Sequence, residues 1–274
     1  MFGKLLKNDI KAQWHSMSFV FLGIVIIAGV AEIFTVTTKN KMGSALGGLL
    51  VFLVLLFACV FIVIKTASMF SKTMFGRAGY LTLSLPVKTS TLLRSKTVSS
   101  LIWIFGVYAL CFGSLFLWMA QVQEALGEDF VNSAESLLSI FGVPSFLTIS
   151  FGVIYLIVSL AIIVLVMVEA MQLAITCSHV SPVSKLGKFG AIVIFFAVTA
   201  LVLYVSGAVG ELIKLGLVVT PERIILSSNI TEAAATVGKD SLTICVSGDI
   251  YSLICAFVLH LPTAYLIKNK VNIM

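Results

Sequence analysis

Residues 46–69 read LGGLLVFLVLLFACVFIVIKTASM, and from Leu49 to Ile64 no charged or amide side chain interrupts the run. A helix needs about 20 mostly apolar residues to cross the hydrocarbon of a bilayer, and this stretch supplies them. A strand of an outer-membrane barrel would instead alternate apolar and polar side chains over about ten residues. The stretch therefore reads as a membrane-crossing helix. Five further apolar runs of comparable length lie at 18–36, 98–121, 146–177, 189–212 and 242–267, separated by polar, charge-bearing segments.

The composition agrees with that reading. Of 274 residues, 59% are hydrophobic and 11% charged, and the mean hydropathy is +1.13. A soluble domain carries roughly a quarter charged residues, and its core cannot absorb so much apolar surface. The expected fold is an all-α integral membrane protein, a single transmembrane domain over 1–274 with about six spanning helices. Ahead of the first span, residues 1–17 place Phe2, Leu5, Leu6, Ile10 and Trp14 at helical spacing opposite Lys4, Lys7, Asn8 and Lys11. That pattern predicts an amphipathic helix lying in the membrane interface.

The distribution of charge orients the chain. Lys4, Lys7 and Lys11, then Lys65, Lys72, Arg77, Lys88, Arg94 and Lys96, then Lys185 and Lys188, and finally Lys268 and Lys270 fall on one side if six spans alternate. The opposite segments carry Glu124, Glu128, Asp129, Glu135, Glu222, Glu232 and Asp240 and fewer basic residues. Lysine and arginine stay on the cytoplasmic side, so both termini are expected there. The segment 211–241, on the other side, reads either as an ordinary folded loop or as a re-entrant or surface-lying hairpin around Pro221.

Charged residues inside the hydrocarbon are costly and mark function by default, which singles out Glu32, Glu169 and Asp249. Glu32 also fits the end of span one and Glu169 the far interface, while Asp249 reads as lying deep in span six with no basic partner. Cys59, Cys111, Cys177, Cys245 and Cys255 form no C-x-x-C pair and read as small buried hydrophobes. His15, His179 and His260 are dispersed without metal-ligand spacing. Small residues at packing spacing (Gly43 with Gly47, Gly187 with Ala191, Ser206 or Gly207 with Gly210) suit close helix approach. Pro262 is expected to bend or open span six.

Neither a G-x-x-x-x-G-K-[ST] phosphate loop nor a G-x-S-x-G nucleophile elbow occurs in the sequence. No catalytic residue, metal ligand or cofactor is therefore expected in this chain, and its basic residues read as topology and headgroup contacts with no nucleic-acid partner. The 70–97 segment, FSKTMFGRAGYLTLSLPVKTSTLLRSKT, is the most distinctive: it is basic, has no acid, and sets Tyr80, Leu81, Leu83, Leu85, Leu92 and Leu93 among its charges. Apolar side chains there suggest docking onto another protein or the membrane surface. Ser90 or Thr91 is placed to cap the helix into span three.

The run from Phe75 to Val87 with Leu92-Leu93-Arg94-Ser95-Lys96 resembles bacterial ABC transporter permeases of the type-2 exporter family. Their phrase is glycine-tyrosine-leucine-threonine-leucine-x-leucine-proline, then serine-lysine. This chain departs from it at Ala78, where an acid is common. The resemblance implies a permease subunit without its own ATPase domain, in the bacterial cytoplasmic membrane. It also implies a second permease subunit, identical or related, and a separate dimer of ATP-binding subunits that hold the ATP and magnesium. Residues 70–97 would be the coupling loop, with Gly79, Tyr80, Leu81, Leu85 and Pro86 as contacts. Arg77, Lys88, Arg94 and Lys96 would supply charge complementarity or headgroup contact. The implied activity is export of a hydrophobic or amphipathic substrate such as a peptide, lipid or drug. Span-three aromatics, Trp103, Phe105, Tyr108, Phe116 and Trp118, suit such a cargo or the surrounding lipid. Rival readings are an ion-coupled secondary transporter, for which no convincing internal repeat is found, and a non-transporting scaffold or sensor.

Overall fold

The computed structural model describes residues 2–38, 41–76, 79, 87–126, 146–180, 187–219, 224–229 and 242–269. Its helices are α1 (Phe2–Thr38), α2 (Lys41–Phe75), α3 (Thr89–Leu126), α4 (Phe146–Ser178), α5 (Gly187–Leu212) and α6 (Ser247–Asn269). All six are long and apolar enough to cross a membrane. Four of the five prolines, Pro86, Pro144, Pro182 and Pro221, lie outside the described residues. The fifth, Pro262, lies inside α6, and the helix continues through it. Lys88, rather than Ser90 or Thr91, starts α3: its carbonyl accepts the N–H groups of Thr91 and Leu92 at 2.9 and 3.2 Å.

Two expectations are corrected. The first concerns the N-terminus, where no separate amphipathic helix ends at residue 17. Residues 2–38 form one helix, because nothing in the stretch breaks the backbone ladder. Its packed face near the start includes the polar Asp9 and Gln13 as well as Met17, while Trp14 is largely exposed. The second concerns the last span, which begins at Ser247 and not at residue 242. Leu242–Cys245 is a strand, β3, which pairs antiparallel with β1 (Gly216–Val219). On its other edge β1 pairs antiparallel with β2 (Ile224–Ser227), Val219 facing Ile224. The sheet order is β2-β1-β3. Cys245, at the end of β3, is exposed and so departs from the buried reading of the cysteines.

The single domain expected from the sequence divides into two compact units, within Met1–Ala134 and Glu135–Asn272. In the first, α1, α2 and α3 pack on one another around Met17, Ile24, Val51, Ile62, Met74, Leu93 and Val107. α1 and α3 run parallel and come close at Gly106, where an added Cβ would lie 2.8 Å from the Phe21 ring. In the second, α4, α5 and α6 pack around Val166, Val202 and Ala256. Ser206 on α5 donates to the Gly248 carbonyl at 3.0 Å, whereas Gly187 and Gly207 have no neighbour at packing distance. Small-residue packing is thus local to particular positions. Large apolar side chains such as Phe57, Phe61, Phe196 and Phe257 stay exposed along the helices, as a hydrocarbon solvent permits.

Candidate functional site

The parallel pair α1 and α3 is joined by polar side chains one helical turn apart. Asp9 accepts from Ser95 at 2.6 Å and from the ammonium of Lys96. One turn on, Ser99 donates to the Gln13 side-chain carbonyl at 2.9 Å. The side chains of Lys96 and Asp9 are only 8% and 15% exposed. Lys96 is therefore not a surface charge offered to another subunit or to headgroups; it is spent on α1. The small residues of the α3 start, Ser95, Thr97, Ser99 and Ser100, are all buried, which lets α1 approach closely enough for these bonds.

Immediately before this joint, the end of α2 turns over two glycines. Gly76 N–H donates to the Lys72 carbonyl at 3.2 Å and Gly79 N–H to the Gly76 carbonyl at 2.8 Å. A Cβ at Gly79 would run into the Met74 carbonyl, so this position demands glycine for the turn. Lys88 and Arg94 are exposed. Arg77, Tyr80, Leu81, Leu85 and Pro86 lie outside the described residues, and so does the side chain of Glu32, which falls in α1.

In the second unit, the parallel helices α4 and α6 meet through two polar contacts. Asp249 is not deep in a span: it sits in the first turn of α6, where the exposed N–H groups of a helix start favour a carboxylate. It accepts from Ser159 at 3.0 Å and from the Tyr155 hydroxyl. Tyr155 also reaches the Cys245 carbonyl at 3.2 Å, tying α4 to the sheet. Glu169 is buried between α4 and α6. It is 4% exposed, and the Nδ1 of His260 lies 3.3 Å from both of its carboxylate oxygens.

Comparison with family models, with curated proteins and with solved structures gave no match. The site must therefore be read from its own chemistry.

Sequence reasoning singled out Lys96, Glu169 and Asp249 but none of their partners. Asp9, Tyr155, Ser159 and His260 lie 87 to 94 residues away along the chain. Only His260, an ionisable group inside an apolar run, carried a signal of its own. Trp103 is also corrected. It is 6% exposed and packs with Trp14 and Phe21 at centroid distances of 5.8 and 5.7 Å, so it holds α1 to α3 rather than facing cargo or lipid. Beside it, Trp14, Phe21, Leu22, Val25 and Leu110 line an apolar groove of about 560 Å³.

Proposed function

We propose that this chain is the membrane-spanning permease subunit of an ATP-driven exporter in the bacterial cytoplasmic membrane, both termini cytoplasmic, moving a hydrophobic or amphipathic substrate. Energy comes from a separate dimer of ATP-binding subunits, and a second permease subunit completes the pathway. The observation that carries this reading is the joint between α1 and α3. The Ser95-Lys96 pair that ends the family-like phrase is bonded to Asp9, so a push on the 70–97 segment moves the starts of both helices together. A loosely attached loop would dissipate the same push. At the end of α2 the Gly79 N–H bonds back to the Gly76 carbonyl. Closure of the partner on ATP would then bias the spans between two arrangements.

The test is purification of the tagged chain from its native membrane, with mass spectrometry of the subunits it brings down and measurement of ATP hydrolysis. An ATP-binding protein in stoichiometric amount is expected. Substrate-stimulated hydrolysis should fall in the Leu85→Ala/Pro86→Ala variant while assembly persists. Recovery of the chain with no ATP-binding protein, together with transport unchanged by the Leu85 and Pro86 substitutions, would refute the reading.

A further inference from the structure

The Glu169–His260 contact is an ionisable pair closed off between two helices of an apolar bundle. The residues are 4% and 7% exposed, and the imidazole meets the carboxylate through Nδ1. Its other nitrogen, Nε2, is buried without a hydrogen-bond partner. A carboxylate alone at such a place is a bare charge in a medium that solvates it badly, and so is an imidazolium alone. With one proton between them the pair is neutral overall, whether that proton rests on the ring or on the carboxyl. Histidine has a second nitrogen on which to hold or pass a proton.

The surroundings of the pair are asymmetric. One turn toward the start of α4 and α6 lie Val166, Ala256 and, from α5, Val202, an apolar layer with Leu165, Val198, Cys255 and Leu259 around it. In the opposite direction Glu169, Gln172 and Thr176 follow one face of α4 at i, i+3 and i+7, and His260 and Thr263 follow α6; all are buried. The hydroxyls of Thr176 and Thr263 bond back to carbonyls of their own helices, Gln172 and Leu259, at 2.7 and 2.8 Å. A polar stripe therefore leads from the pair to the Ser178 end of α4, and an apolar layer closes the other side. Pro262, two residues after His260, has no N–H to give the Val258 carbonyl, which loosens α6 beside the pair.

We propose that Glu169 and His260 form a proton-binding site within the membrane part of the second unit, exchanging its proton through the polar stripe toward Ser178. The other described titratable groups of the three helices are spread along them. Asp249 and Tyr155 are more than two turns away beyond the apolar layer, and Cys255 is partly buried against that layer. Cys177 and His179 close the far end of α4, Tyr251, Tyr265 and Lys268 lie elsewhere on α6, and on α5 Tyr204 and Glu211 are exposed. Lys188, also on α5, has a side chain outside the described residues. Gain or loss of the proton changes the charge at the point where α4 grips α6, next to the proline, so occupancy of the site sets how tightly the two helices pack.

The experiment uses the full chain in lipid bilayers with ¹⁵N-imidazole histidine, His15 and His179 replaced by asparagine so that His260 alone reports. Solid-state NMR is recorded from mildly acidic to mildly alkaline pH. The ring nitrogens of His260 are expected to change protonation state within that range. In the Glu169→Gln variant the response of the ring to pH should change, because the carboxylate that shares its proton is gone. A His260 signal that keeps one protonation state throughout, or a midpoint that Glu169→Gln leaves in place, would overturn the proposal. The first arm alone decides even if the variant fails to fold. Titration of His260 in a chain that brings down no ATP-binding subunit would keep this site and remove the ATP-driven reading.

Discussion

At the scale of single residues, two buried ionisable pairs join helices among the described residues. Asp9 with Lys96 and Glu169 with His260 each join the first and third helix of a unit, and Asp249 takes two hydroxyl donors instead of a cation. Removing one member of a buried ion pair leaves the other uncompensated, whereas removing both leaves only a packing defect. Lys96→Met is therefore expected to destabilise the protein by roughly 3 kcal/mol, and Asp9→Asn combined with Lys96→Met by less than Lys96→Met alone. Thermal unfolding of the detergent-purified protein, run as a double-mutant cycle, measures both. Additive losses would mean that the pair contributes nothing as a pair.

At the scale of elements, the contact between α1 and α3 depends on the absence of a side chain at Gly106, against which the Phe21 ring rests. Gly106→Leu should force the helices apart at a cost of about 1–3 kcal/mol, and Phe21→Ala in the same chain should recover part of it. Unfolding midpoints of the three variants check this; no recovery would mean that the two residues do not share the contact. The spanning helices were legible because long apolar runs have one solution in a bilayer, every backbone polar group bonded within the segment. The strands were not. Leu242–Cys245 is four residues, three of them apolar, separated from an apolar helix by Val246 alone, and a run that short has no period to tell strand from helix. The position of Asp249 was misread for the same reason, since its depth depends on where α6 begins. The cross-helix pairs were illegible for another: residues nearly ninety positions apart leave no local pattern, so Lys96 and Glu169 could be noticed while Asp9 and His260 could not be matched to them.

For the whole molecule, the account rests on six helices crossing a membrane with the lysine-rich ends on one side. Within the first unit, the parallel course of α1 and α3 puts Lys7 and Lys88 at the same end. Within the second, the parallel course of α4 and α6 does the same for His179 and Asn269. If the lysine-rich side is cytoplasmic, these four positions are hidden from the outside of an intact cell, and Thr37 and Ser228 are not. The most direct test introduces single cysteines at these six positions in a chain whose own cysteines are replaced, and labels intact cells with a membrane-impermeant maleimide. Thr37→Cys and Ser228→Cys should label at once, and Lys7→Cys, Lys88→Cys, His179→Cys and Asn269→Cys only after the membrane is permeabilised. Labelling of Lys88→Cys from outside the intact cell, or protection of Thr37→Cys and Ser228→Cys, would contradict the orientation on which the proposed coupling to a cytoplasmic ATPase depends.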